Sequence, residues 1–90
     1  MNVINQQRIQ QQAEELSQLL IRKNADYGNS FEEQFNKRGL VGVLIRLEDK
    51  MARLDNLERN AAKVDESIKD TLIDLAGYAL LASILIGEND

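Results

Sequence analysis

The sequence predicts an all-α fold, and three observations carry the prediction. The chain contains no proline. Its apolar residues recur at three- and four-residue intervals, the rhythm of helices rather than the alternation of strands. Its break points hold glycine or short polar runs, where helices stop. Ninety residues make one domain, residues 1–90, and with two Phe, two Tyr and no Trp the core must be built from Leu, Ile, Val and Ala. A chain of this size buries roughly 60% of its unfolded surface, which leaves a lone monomer marginal. The expected architecture is a small helical bundle of three long helices and one short one.

Residues 3–24 read as the first helix. Ile9, Ala13, Leu16 and Leu20 form its inward stripe, and Gln6, Gln7, Gln10, Gln11 and Gln12 cover the solvated remainder, glutamine being a good helix former. The stretch KNADYGNSFEEQF follows. Gly28 is placed for a left-handed cap, and Ser30 with Glu33 three residues later forms a capping box. Phe31 and Phe35 pin a short helix over 31–37, which Gly39 ends. Lys23, Asp26, Tyr27, Gly28, Asn29 and Ser30 thus make an ordered elbow dense in polar groups. Such elbows either bind anions or only turn a corner; Tyr27 is the candidate to stack on a base.

The third helix spans 40–59, with Leu40, Leu44, Leu47, Met51 and Leu54 as its 4-3-4-3 seam. Arg46, Lys50 and Arg53 lie on one flank, Glu48 and Asp55 on the other. The polar linker NAAKVD leads to Asp65, a plausible N-cap, and to the last helix over 66–87. There one apolar line runs through Ile68, Leu72, Leu75, Ala79, Ala82 and Ile86, and a second through Ile73, Leu80 and Ile84. Beyond Tyr78 this helix is nearly free of polar residues, so it is expected to be wrapped on most sides. Its apolar excess, through Ile73, Leu80, Ile84 and Leu85, implies a homo-oligomer assembled on the C-terminal helix. Up the same helix climb Glu66, Asp70 and Asp74, spaced by four so that their carboxylates stack turn upon turn.

Composition narrows the chemistry. Fifteen acids against eleven bases give a net charge of −4, the wrong sign for a duplex-binding protein. No run reaches ~18 uninterrupted apolar residues, and the N-terminus lacks the regions of a signal peptide; a cytosolic protein without a membrane partner is expected. The chain has neither cysteine nor histidine. That excludes the usual zinc sites and any Cys or His nucleophile or imidazole base. A metal here would be a hard ion on carboxylates, Mg²⁺ or Mn²⁺.

If the third and fourth helices pack antiparallel, the basic edge of one faces the acidic ladder of the other. One reading pairs Arg46, Lys50 and Arg53 with Asp74, Asp70 and Glu66, fixing the register. Such pairs are worth under ~1 kcal/mol each when exposed and little net when buried, a weak reason to keep six charges beside a core. The other reading is a polar pocket, in which Arg46, Lys50 and Arg53 hold phosphate while Asp70 and Asp74 orient them or meet a base edge.

Three blocks of this sequence carry a resemblance: K-x-x-D-Y-G-N-S-F from Lys23, G-L-x-x-x-x-I-R-L-x-D-K-x-x-R-L from Gly39, and D-E-S-I-x-D-T-L-x-D-L-A-x-Y-A from Asp65. They resemble the nucleotide modification associated domain family, once a domain of unknown function, whose members occur in bacteria and phages. The resemblance implies a small helical protein that handles nucleotides. A looser similarity, to all-α MazG-like nucleoside triphosphate pyrophosphohydrolases, implies a Mg²⁺ site. Those enzymes use E-E-x-x-E and E-x-x-D; here the counterparts are Glu48, Asp49, Asp70 and Asp74, with Ala52 where a glutamate is expected and a spacing of four in the second block. Two functions from different classes follow. The first is a non-catalytic binder of a small nucleotide that needs no cofactor, in a phage setting a sponge for a cyclic or ADP-ribose-like immune signal. The alternative is a Mg²⁺-dependent pyrophosphohydrolase.

Overall fold

The computed structural model describes the backbone of residues 2–27, 29–60 and 65–89 and the side chains of residues 2–25, 29–60 and 68–87. Among them it forms four helices and no strand: α1 (Gln6–Tyr27), α2 (Ser30–Arg38), α3 (Leu40–Arg59) and α4 (Asp65–Asn89). The all-α expectation holds. The chain divides into two compact units, Met1–Ser30 and Phe31–Asp90.

In the first unit α1 begins three residues later than its apolar pattern suggests, because Asn5 caps it. The Arg8 N–H donates to Asn5 Oδ1 at 3.0 Å and the Ile9 N–H to the Asn5 carbonyl at 2.9 Å, meeting donors that a helix start leaves orphaned. The expected stripe is only half realised: Leu16 and Leu20 are half-buried, whereas Ile9 and Ala13 are exposed. The helix continues to Tyr27, three residues past its expected end. At the elbow the described left-handed residue is Asn29, with φ 62°, a conformation asparagine tolerates better than most; Gly28, the residue expected there, lies outside the described residues, as do the side chains of Asp26 and Tyr27.

In the second unit Gly39 joins α2 to α3. It adopts φ 65°, ψ −154°, a region essentially reserved for glycine. Its N–H donates to the Phe35 carbonyl at 2.7 Å, closing α2, and its carbonyl accepts from the Gly42 N–H at 3.2 Å, opening α3. Gly42 lets the two helices approach: a Cβ there would meet the Arg38 Cβ at 3.2 Å. Asn60 caps the far end of α3, its N–H donating to the Asn56 carbonyl at 3.1 Å.

The main helix pairing is α3 on α4. Arg46 meets Tyr78 and Lys50 meets Asp74, so as α3 advances α4 retreats and the two are antiparallel. Val43 (4% exposed), Thr71 (3%) and Ala82 are the buried centre of the pair, flanked by half-buried Leu47, Leu54, Leu57, Leu75, Leu81 and Leu85. The expected seams are therefore turned. On α3 the packed line runs through Val43, Leu47, Lys50, Leu54 and Leu57, while Leu40, Leu44 and Met51 stand about half exposed; on α4, Leu72, Ala79 and Ile86 are likewise exposed. Nor is the end of α4 wrapped, since Leu80 and Ile84 are also open. A 4-3 stripe marks an arc wider than a single neighbouring helix can cover, and α3 covers one half of it. Ser83 on the open part donates its hydroxyl to the Leu80 carbonyl at 2.7 Å, a local bond that helix serines use. Residues 68–87 are long and apolar enough to cross a membrane by length and composition alone, although Lys69, Asp70 and Asp74 interrupt the run, so no 18 apolar residues follow one another.

Candidate functional site

The site grows from Arg46. Its position on α3 turns it toward α2 on one side and α4 on the other, and each supplies an aromatic ring. The guanidinium carbon lies 5.4 Å from the Phe31 ring centroid and 5.5 Å from that of Tyr78, within cation–π range of both. The rings are nearly parallel, 13° apart in plane with centroids 6.0 Å apart, an offset stack. A guanidinium nitrogen also donates to Gln34 Oε1 on α2. Arg46 is thus held by flat surfaces and a hydrogen bond at once, a combination that suits a planar guanidinium and not an ammonium.

One turn further along α3, Lys50 Nζ lies 3.1 Å from Asp74 Oδ2, with 24% of the lysine side chain and 29% of the aspartate side chain exposed. Arg46, Lys50 and Arg53 then line an open cleft of about 230 Å³ together with Asp49 and Tyr78. Three cations border this cleft against Asp49 on its wall and Asp74 paired to Lys50, which leaves an excess of one positive charge on a chain whose net charge is −4. Such local concentration of positive charge raises the occupancy of small anions.

The sequence-predicted residues divide accordingly. Arg46, Lys50 and Arg53 are brought together, and Asp74 joins them through Lys50. The pairing register expected from the sequence is corrected by one turn: Lys50 faces Asp74 rather than Asp70, and Arg46 meets Tyr78 and Gln34 rather than Asp74. The reason is that Tyr78, not a carboxylate, is the residue of α4 level with Arg46. Asp70 is exposed a turn away, and the side chain of Glu66 lies outside the described residues. Lys23, Asn29 and Ser30 are exposed in the first unit. Glu48 is exposed and sits about 100° around α3 from Asp49, one residue's turn. Among the described residues no three acidic side chains gather where one ion would reach them, so Glu48, Asp49, Asp70 and Asp74 do not form a ready Mg²⁺ cage.

Sequence reasoning missed Phe31, Gln34 and Tyr78. Phe31 read as a core pin, and Gln34 carried no reading. For Tyr78 a signal existed: Glu66, Asp70 and Asp74 are spaced by four, and four more residues lead to Tyr78, so the acidic line runs into an aromatic ring before it reaches Leu81.

A sequence model of one family, nucleotide modification associated domain 1, matches residues 23–86, more than two thirds of the chain. The chain belongs to the nucleotide modification associated domain 1 family. No curated protein and no solved structure matches it significantly. The family match spans α2, α3 and most of α4, together with the end of α1 and the elbow. Every residue lining the cleft, from Arg46 to Tyr78, lies inside the match, as do Phe31 and Gln34.

Proposed function

We propose that this protein is a non-catalytic binder of a small nucleotide, with Arg46, Lys50 and Arg53 taking the phosphates. The observation that carries the reading is Arg46, oriented by two rings and Gln34 beside a cleft bordered by two further cations. A guanidinium so held grips phosphate with two parallel bonds, and Lys50 and Arg53 add charge around it. Tyr78 offers an aromatic surface at the same cleft, suited to a base or to the adenine of an ADP-ribose-like ligand. Asp49 on the cleft wall is an acceptor for a base edge, and Asp74 orients Lys50. The family's name, which links it to nucleotide modification, agrees in ligand class. The scattered acidic residues support binding over Mg²⁺-dependent hydrolysis. Binding without turnover amounts to sequestration, and on this reading the protein is a cytosolic sponge for a nucleotide signal, of the kind a phage would carry against host immunity. The elbow from Lys23 to Ser30, Tyr27 above all, is proposed to contribute to nucleotide affinity.

The test is mass spectrometry on a panel of cyclic, linear and ADP-ribose-type nucleotides incubated with the protein and Mg²⁺, then released by heat. Recovery of one nucleotide intact and at stoichiometric occupancy, indifferent to EDTA and reduced in Tyr27→Ala, is the expected result. Mg²⁺-dependent release of pyrophosphate or a monophosphate, lost in Asp74→Asn, overturns it in favour of the pyrophosphohydrolase.

A further inference from the structure

The α3–α4 hairpin has two unlike sides. An α-helix turns about 100° per residue. Measured from the line that faces the partner helix, Arg46, Asp49 and Arg53 of α3 and Asp70 and Asp74 of α4 lie about 80° to one side. Leu40, Leu44 and Met51 of α3 and Leu72, Ala79 and Ile86 of α4 lie about 80° to the other. Facing helices that run antiparallel bring equal rotations to the same side of the pair, since opposing direction and opposing face cancel. The cleft therefore occupies one side, and the six apolar residues form a strip on the other. The register set by Arg46–Tyr78 and Lys50–Asp74 places Met51 level with Leu72, and Leu44 level with Ala79. All six are exposed, Met51 at 57% and Leu72 at 51%.

We infer that this strip is the seat of a second copy of the chain, joined about a two-fold axis into a four-helix bundle, with the two clefts facing outward. Spacing supports it. Leu40, Leu44, Leu47, Met51 and Leu54 keep the 4-3-4-3 interval of bundle helices, yet α4 of the same chain covers only one edge of that seam; a second hairpin covers the other. Area supports it too. The strip is about 22 Å long and about 20 Å wide, roughly 450 Å² in projection. About half of each of these six side chains is open, roughly 500 Å² in all, so a symmetric pair with its rim buries about the 1,000 Å² in total that a specific interface needs. The rim is polar, with Glu48 and Asp55 on α3 and Ser83 on α4 exposed beside the strip. That suits a protein interface and not a bilayer, where the two carboxylates would lose their water. The interface differs from the one the sequence suggests: Leu80 and Ile84 face away from it on the outer side of α4. It is independent of what the cleft binds.

Sedimentation equilibrium at micromolar concentration tests the inference. The wild type is expected at about 20 kDa, twice the 10.2 kDa chain. Leu44→Lys and Leu72→Lys should each halve that mass with helical circular dichroism retained, while Leu80→Lys leaves it unchanged. In case both strip variants unfold, labelling decides: the chain has no cysteine, so a spin label at Ala79→Cys is unique and should show dipolar broadening between copies, absent from Arg53→Cys on the cleft side. A wild-type mass of one chain overturns the inference. A two-chain mass that survives both strip variants, or broadening at position 53 and not at 79, overturns it equally.

Discussion

The two sides of the α3–α4 hairpin solve different problems. On the cleft side the charges nearest the seam meet specific partners within the chain: Lys50 has Asp74, and Arg46 has Gln34 and two rings. No buried side-chain polar atom among the described residues lacks a partner. On the strip side, Leu40, Leu44, Met51, Leu72 and Ile86 stand about half in solvent. Polar groups need geometry, and a chain folding alone can arrange it to avoid leaving charges unpaired. Apolar groups need only area, and a ninety-residue chain has little to give. Hence the cleft is internally organised while the strip is left for another surface.

The largest expected effect lies between the sides. Val43 is buried in the shared seam, so Val43→Asp should cost about 3–5 kcal/mol, because a charge there has no partner. Urea unfolding should show loss of a cooperative transition; if the transition survives with little change, the seam is not the common support of the two sides. Next comes Arg46→Ala, expected to weaken nucleotide binding by about 1.5–3 kcal/mol in calorimetry while leaving oligomer mass untouched. Arg46→Lys should not restore affinity, because an ammonium lacks the planar fork. Full rescue by lysine would mean that charge alone matters. Gly39→Ala comes third. A Cβ at Gly39 meets nothing within 4 Å, so any loss is backbone strain, about 1–2 kcal/mol at φ 65°, measurable by thermal unfolding. The smallest effect is that of Asp74→Asn on stability. The Lys50–Asp74 pair is part-exposed, so its removal should change unfolding free energy by under ~1 kcal/mol; a larger loss would show that the cleft side depends on that pair for its fold.

Much of the fold was legible because local rules act alone along most of the chain. Helical periodicity, Gly39 as a stop and the antiparallel pairing of a basic with an acidic edge all follow from residues near in sequence. What was hidden depends on distance or competition. The spacing of Leu40, Leu44, Leu47, Met51 and Leu54 marks a face without saying which neighbour covers which part of it. The register slipped a turn because Tyr78 and Lys50, far apart in sequence, decide it together. Arg46, Lys50 and Arg53 were legible as candidates from their shared flank. The rings beside Arg46 were not, since Phe31 comes from α2, whose fold-back onto α3 depends on a glycine conformation that periodicity does not record.

That fold-back gives the protein a means of retuning without touching a binding residue. Phe31 and Gln34 hold Arg46 from α2, but the tilt of α2 is set at Gly39 and by the 3.2 Å clearance at Gly42. Helix α2 is a lever of nine residues, about 13 Å long, pivoting beside its own C-terminus. A rotation of a few degrees at the pivot carries Phe31, at the far end, by roughly an ångström relative to Tyr78. Substitutions near residues 38–42 alone can thus widen or narrow the gap between Phe31 and Tyr78 and, on the function proposed above, the size of base admitted. Ligand preference within the family would then drift while the cations of the cleft stay fixed.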